Sequence, residues 1–318
     1  MELGVPPLFE ALRGRRSVLV AGAGGGFDVY AGLPLALALH ADGVAVHLAN
    51  LSFTPLELLD ADAWAAPDLA VITPSTAGPD DYFPERTLAR WLAANHLPPT
   101  VHAFPLVGVA PLRAAYRELV GRLAVDAIVL VDGGTDILMR GDESGLGTPV
   151  EDMTSLAAVA GLPEVETRLV ACLGFGIDAY HGVNHAQVLE NIAALDRAGA
   201  YLGALSIPSA SAEALLYRDA VLTAQRLTPL RPSIVNGQIA AALAGESGDV
   251  RFTHRTASST LFVNPLMAVY FAFTVEGLAG QSLYLDRLED TLTVRQVAAR
   301  IEAFRAGVTP RPARPYPH

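Results

Sequence analysis

Three times in this chain a run of small and branched apolar residues stops at a Gly-x-Asp. Residues 18–21 lead into Gly22-Ala23-Gly24-Gly25-Gly26-Phe27-Asp28, and residues 128–131 into Asp132-Gly133-Gly134-Thr135-Asp136. Residues 169–173 lead into Gly174-Phe175-Gly176-Ile177-Asp178. Short continuous apolar runs of this kind read as strands buried on both faces, as in a parallel sheet covered by helices. Each strand ends in a glycine turn that delivers a carboxylate just past its C-terminal end. In an open α/β sheet those ends face one crevice, and ligands bind there. The feature thus constrains the fold and the place of the chemistry together.

The rest of the chain keeps the same rhythm. Strands are predicted at 17–21, 44–49, 69–73, 100–104, 126–131, 167–173 and 201–206, with helices at 29–41, 84–95, 110–123, 152–160 and 184–198. Such βα alternation predicts an α/β fold, a doubly wound, mostly parallel, Rossmann-like sheet with helices on both faces. Beyond 207 the expectation is a helical C-terminal elaboration. It has helices at 211–226 and 233–243, β-type residues at 250–264, and an apolar helix at 265–279 opened by Pro265 after Asn264. A last helix, 294–305, is capped by Thr293. Residues 1–308 read as a single domain, and the Pro- and Arg-rich stretch 309–318 as a disordered tail.

Composition removes several function classes. A net charge of −11 argues against nucleic acid or an anionic membrane surface as partner. No run approaches the roughly 20 apolar residues of a membrane span. Met1-Glu2-Leu3-Gly4-Val5-Pro6-Pro7 has neither a basic nor an apolar region of the secretory type. The single cysteine, Cys172, falls inside a predicted strand and reads as a buried, inert thiol. A cytoplasmic setting is expected. All 22 Lys+Arg residues are arginine. There is no lysine for a Schiff base and no Gly-Lys-Ser/Thr phosphate loop, which excludes pyridoxal phosphate chemistry.

The first glycine turn fails as a dinucleotide fingerprint. In Gly-x-Gly-x-x-Gly the third glycine falls on Phe27 counted from Gly22 and on Val29 counted from Gly24. Asp28 would also stand where a pyrophosphate sits, which argues against NAD. Asp28 is either a helix N-cap or a group that binds a metal or hydroxyls. Gly24, Gly25 and Gly26 are candidates for backbone contact with a substrate, and so is Asn50 after strand 44–49.

The second turn opens a stretch with six acids within 21 residues: Asp132, Asp136, Asp142, Glu143, Glu151 and Asp152, beside Arg140. A solvated acidic loop is the plain reading. Carboxylates with backbone oxygens also suit hard divalent cations such as Mg²⁺ or Mn²⁺. Asp132 and Asp136 are the leading catalytic and metal candidates here. Gly133, Gly134 and Thr135 are candidates for substrate contact, and Arg140 for holding a carboxylate or phosphate.

After the third turn come His181 and His185, four residues apart. On one helix they would share a face and could join Asp178 in a two-histidine, one-carboxylate metal set. If the helix begins at Asn184 the two imidazoles part, and each reads as a general acid/base or a surface histidine. Further on, His254-Arg255, Ser258, Ser259 and Asn264 form a polar run in which Arg255 could supply a cationic wall.

Several of these stretches carry a resemblance. Gly24-Gly25-Gly26-Phe27-Asp28, Asp132-Gly133-Gly134-Thr135-Asp136 with Arg140-Gly141-Asp142-Glu143, Gly147-Thr148-Pro149 with Glu151-Asp152, and Asn264-Pro265-Leu266-Met267 are the stretches concerned. They resemble a family of uncharacterised prokaryotic proteins, domain of unknown function 1152. The resemblance implies a single domain of that kind across nearly the whole chain, and supplies no activity.

The residues themselves predict an enzyme acting on a small polar metabolite at an acidic pocket dependent on a divalent cation, with hydrolase or lyase chemistry. Asp28, Asp132, Asp136 and Asp178 would hold metal or substrate hydroxyls, and His181 or His185 would move protons. Arg140 or Arg255 would hold an anionic group, and loop 133–150 would close over the ligand. Two alternatives stay open: a nucleotide- or dinucleotide-binding oxidoreductase using the glycine turns, and a non-catalytic ligand-binding or sensor subunit. A homo-oligomer is allowed but not required.

Overall fold

Side chains along a strand alternate between the two faces of its sheet, so a continuous apolar run must be covered on both. Here Val18, Val20, Val129 and Val131 enter one core, while Leu19, Ala21, Ile128 and Leu130 enter the other. The computed structural model describes residues 4–256 and 261–315. Helices Val109–Leu123, Pro149–Ala160, His185–Arg197 and Val294–Ala306 close the leucine side. Helices Leu33–Ala41, Pro84–Ala94, Ala212–Leu227 and Ile234–Leu243 close the valine side.

The strands in chain order are β1 (Ser17–Gly22), β2 (Ala45–Leu51), β3 (Trp64–Ala66), β4 (Leu69–Ile72), β5 (Val101–Phe104), β6 (Ala127–Asp132), β7 (Thr167–Leu173), β8 (Tyr201–Ser206), β9 (Gly248–Asp249), β10 (Phe262–Val263) and β11 (Val269–Thr274). One sheet runs β3-β4-β5-β2-β1-β6-β7-β11-β8, and β9 pairs with β10 apart from it. Within the large sheet β5, β2, β1, β6 and β7 are mutually parallel, and β4 and β11 run against their neighbours. This is the doubly wound α/β fold. Because β1 has β2 on one side and β6 on the other, the winding reverses between β1 and β6. A crevice opens at such a reversal, beyond the carboxyl ends of the strands.

The helix expected at 29–41 is broken at Gly32 into Asp28–Ala31 and Leu33–Ala41. A Cβ on Gly32 would lie 2.5 Å from a Val20 methyl, so glycine lets the chain press onto β1. Pro34 then opens the second helix in its first turn.

Two expectations are corrected. Residues 265–279 are not one helix: a 3₁₀ turn, Pro265–Ala268, precedes β11, and a short helix, Val275–Gln281, follows. The segment Val269-Tyr270-Phe271-Ala272-Phe273-Thr274 is rich in aromatic and branched residues that favour a strand. It inserts antiparallel between β7 and β8, opposing Tyr270 to Leu173 and to Leu205. The tail is the second correction. Arg311 donates its backbone N–H to the Asp142 carbonyl, and its guanidinium reaches Asp142, Glu143 and Glu190 at 3.0, 2.9 and 2.7 Å. Residues 309–315 therefore pack along the loop after β6, held by ion pairs that sequence cannot display. Residues 316–318 and the polar positions Ser258 and Ser259 lie outside the described residues. No helix among the described residues is long and apolar enough to cross a membrane.

Candidate functional site

All three Gly-x-Asp turns project into one cavity of about 750 Å³ at the carboxyl ends of β1, β6 and β7. Six carboxyl groups line it: Asp28, Asp132, Asp136, Glu151, Asp152 and Asp178. Asp28 is the first residue of its short helix and does not cap it. Its carboxylate turns back to accept the Gly24 N–H at 2.6 Å and reaches across to the Gly133 N–H at 3.2 Å. Asp178 crosses in the other direction, accepting the Thr135 N–H at 2.6 Å. Asp136 accepts the Thr148 N–H and hydroxyl at 2.8 and 3.0 Å, which pins it to the start of helix Pro149–Ala160. Asp132 ends β6 and accepts a long bond from the Ile137 N–H at 3.4 Å.

The glycines make room for these carboxylates. A Cβ on Gly134 would sit 2.7 Å from both oxygens of Asp178, and one on Gly24 would sit 2.8 Å from Asp28 Oδ2 and 2.9 Å from Asp152 Oδ1. The turn sequences are thus fitted to side chains from neighbouring turns.

Asp152 arrives from a different element. It lies one helical turn before Ser155, whose hydroxyl donates to the Ala23 carbonyl at 2.7 Å and so fixes this helix against the first glycine turn. Asp152 is 2% exposed, and its Oδ1 has no hydrogen-bond partner among the described residues. Asp28, Asp132 and Asp152 each offer a carboxylate oxygen, all within 4.8 Å of one another. Hard divalent cations take ligands of this type.

Burial holds these acids above the usual carboxylate range. Asp28 is pushed to about 7, with the Gly24 amide opposing the shift and Asp136 reinforcing it. Asp132, Asp152 and Asp178 rise well above their ordinary values, through burial first and through neighbouring carboxylates second. Asp136 and Glu151 rise for the same first reason, although the Thr148 hydrogen bonds restrain Asp136. Without a cation the cluster lowers its charge by holding protons.

The remaining predicted residues divide. His181 lines the acidic cavity, close enough to Asp136 to oppose the upward shift of that carboxyl. His185 does not join it: Asn184 caps the helix that starts at His185, and the His185 ring packs 5.6 Å from Phe175 beside a separate, largely apolar cavity. Arg255 lines the acidic cavity. Arg140 does not, because Asp142 engages its guanidinium at 3.0 and 2.9 Å. Asn50 is buried behind the glycine turn, donating to the Gly26 carbonyl and to Glu85 at 2.7 Å each. Thr135 and Gly134 act from behind, as the support of Asp178. Gly24, Gly25, Gly26 and Gly133 line the cavity.

Loop 133–150 is no open lid. Ile137, Leu138, Met139 and Glu143 are buried, and Asn191 donates to Glu143 at 2.6 Å. Sequence reasoning also passed over Asp152 as a ligand, and it missed Tyr82 and Arg231. The signal for Asp152 was its place in the first turn behind Thr148-Pro149, where acids also serve the helix dipole and so draw no notice. Arg231 and Tyr82 had none, since each is an isolated residue in a loop.

The sequence profile of a protein family of unknown function, DUF1152, matches residues 69–309, more than half of the 318-residue chain. The chain belongs to the DUF1152 family. No curated protein and no solved structure matches it. The matched span takes in Asp132, Asp136, Asp152, Asp178, Arg231 and Arg255 and begins after the first glycine turn, so Asp28 of this DUF1152 protein lies outside it.

Proposed function

We propose that this DUF1152 protein is an enzyme that works on a small polar metabolite at a divalent cation, Mg²⁺ or Mn²⁺, held by Asp28, Asp132 and Asp152. Asp152 carries the reading. A buried carboxylate oxygen without a donor costs free energy unless a ligand or proton supplies the missing charge. Two further carboxylates face it, from β6 and from the first glycine turn. A cation bound there would polarise the substrate and acidify a coordinated water, which suits hydrolase or lyase chemistry. Asp136 and Asp178 are tied to Thr148 and Thr135 and keep the rim fixed. His181, which lines the cavity, would take or give a proton there.

The test is titration of chelated protein with Mn²⁺, read by the paramagnetic signal of the free ion. One Mn²⁺ should bind per chain, with loss of at least about tenfold in affinity for Asp132→Asn. Equal binding by the wild type and this variant would sink the reading.

A further inference from the structure

The same cavity has a wall of opposite character. Arg231, Arg255 and the first residues of helix Ile234–Leu243 line it beside the acids. The two walls meet at Gly133, whose Cβ position lies 2.6 Å from Asp28 Oδ1 and 3.0 Å from a Val235 methyl. Asn236 ties the helix start to the first glycine turn by donating to the Phe27 carbonyl at 3.0 Å.

Neither arginine forms an ion pair among the described residues, although six carboxyl groups share their cavity. Both residues are exposed to solvent, and each keeps one contact with the protein. Arg231 lies over the Tyr82 ring at 5.7 Å, and Arg255 donates to the Pro232 carbonyl at 2.9 Å, contacts that steady a guanidinium without neutralising it. Beside them Ser233 caps the helix by accepting the Asn236 N–H. The first-turn amides of Ile234 and Val235 have no intrahelical acceptor and carry the positive end of the dipole. The buried, unpartnered Asp152 Oδ1 independently marks the cavity as built for a ligand.

We propose that the substrate is a phosphate monoester. Its phosphate sits on Arg231 and Arg255, before the first turn of helix Ile234–Leu243, and its other end lies at the carboxylate cluster. Two guanidinium groups and a helix start match a dianion with three acceptor oxygens better than a carboxylate with one charge and two. The cavity, at about 750 Å³, has room for a metabolite of this kind beside a cation. Where the reacting end lies rests on the cation reading, whereas the anion seat does not.

The experiment is calorimetric titration of chelated, full-length protein with glycerol 1-phosphate and with glycerate, which share a vicinal diol and differ in the anion. The phosphate should bind at least about tenfold more tightly than glycerate, and Arg231→Gln/Arg255→Gln should lose at least about tenfold for the phosphate. Arg140→Gln, altered outside the cavity, should keep wild-type affinity. Glycerate bound as well as the phosphate, or phosphate binding indifferent to the arginine pair, overturns the proposal. Mn²⁺ titration of the same variants separates the two readings. Mn²⁺ bound by a protein whose phosphate affinity ignores the arginines removes the phosphate seat alone, and an arginine-dependent phosphate seat without Mn²⁺ binding removes the cation reading alone.

Discussion

At the scale of single residues, Asp152 sets stability against use. Its carboxyl is buried beside Asp28 and Asp132, and one of its oxygens has no donor. A folded chain keeps such a group only at a cost, and ligand sites are where such costs are tolerated. Asp152→Asn removes an ionisable carboxyl from a crowded cluster and offers an amide donor to the neighbouring carboxylates. For the chelated protein at pH 8 this substitution is expected to raise the melting temperature by about 2–4 °C, on the order of 1 kcal/mol. Added Mn²⁺ should then no longer raise it further. A lower melting temperature in the chelated variant would mean that the carboxylate is satisfied from within the protein, and the argument from its missing partner would fail.

Elements explain what could be read from sequence and what could not. The three Gly-x-Asp endings were legible because strand, turn and carboxylate are contiguous, and the apolar run alone says that the strand is buried. β11 was illegible because Pro265 and the apolar residues after it fit a helix start as well as a strand. Only the gap between β7 and β8 decides between them. The tail was illegible because its order comes from partners more than 100 positions away, as with Arg311 and Asn191. That strap has a measurable consequence. Arg311 touches Glu143, which is fully buried and which also accepts the Arg140 and Gly141 amides and the Asn191 side chain. Glu143 keeps those partners when Arg311 is lost, and the guanidinium is partly exposed, so the full penalty for stranding a buried charge does not apply. Arg311→Ala should cost about 1–3 kcal/mol in urea unfolding, with faster amide exchange concentrated in residues 140–147. Uniform exchange across the molecule would mean that the strap does not hold this loop.

Over the whole molecule, the sheet gathers carboxyl groups from β1, β6, β7 and helix Pro149–Ala160 into one low-dielectric crevice, and proton binding becomes part of the folding equilibrium. Asp28 has an ordinary value of 3.8 and a folded value of about 7, so the native state holds a proton that the unfolded chain releases. The stability this group contributes is present in full below about pH 4 and is lost as pH rises through about 7. Asp132, Asp152 and Asp178 are shifted in the same direction and deepen the loss. A cation reverses it, since it binds the ionised cluster and displaces those protons. The chelated protein should therefore lose stability from pH 5 to pH 8, while the stabilisation given by a fixed Mn²⁺ concentration grows over the same window. Glu85 separates the two effects. Burial raises it to about 7, yet it stands behind Asn50 and does not line the cavity. Glu85→Gln should flatten part of the pH slope of the chelated protein and leave the Mn²⁺ increment unchanged. A Mn²⁺ increment that stays constant from pH 5 to pH 8 would mean that the ion does not compete with the protons of the carboxylate cluster and binds elsewhere on the protein.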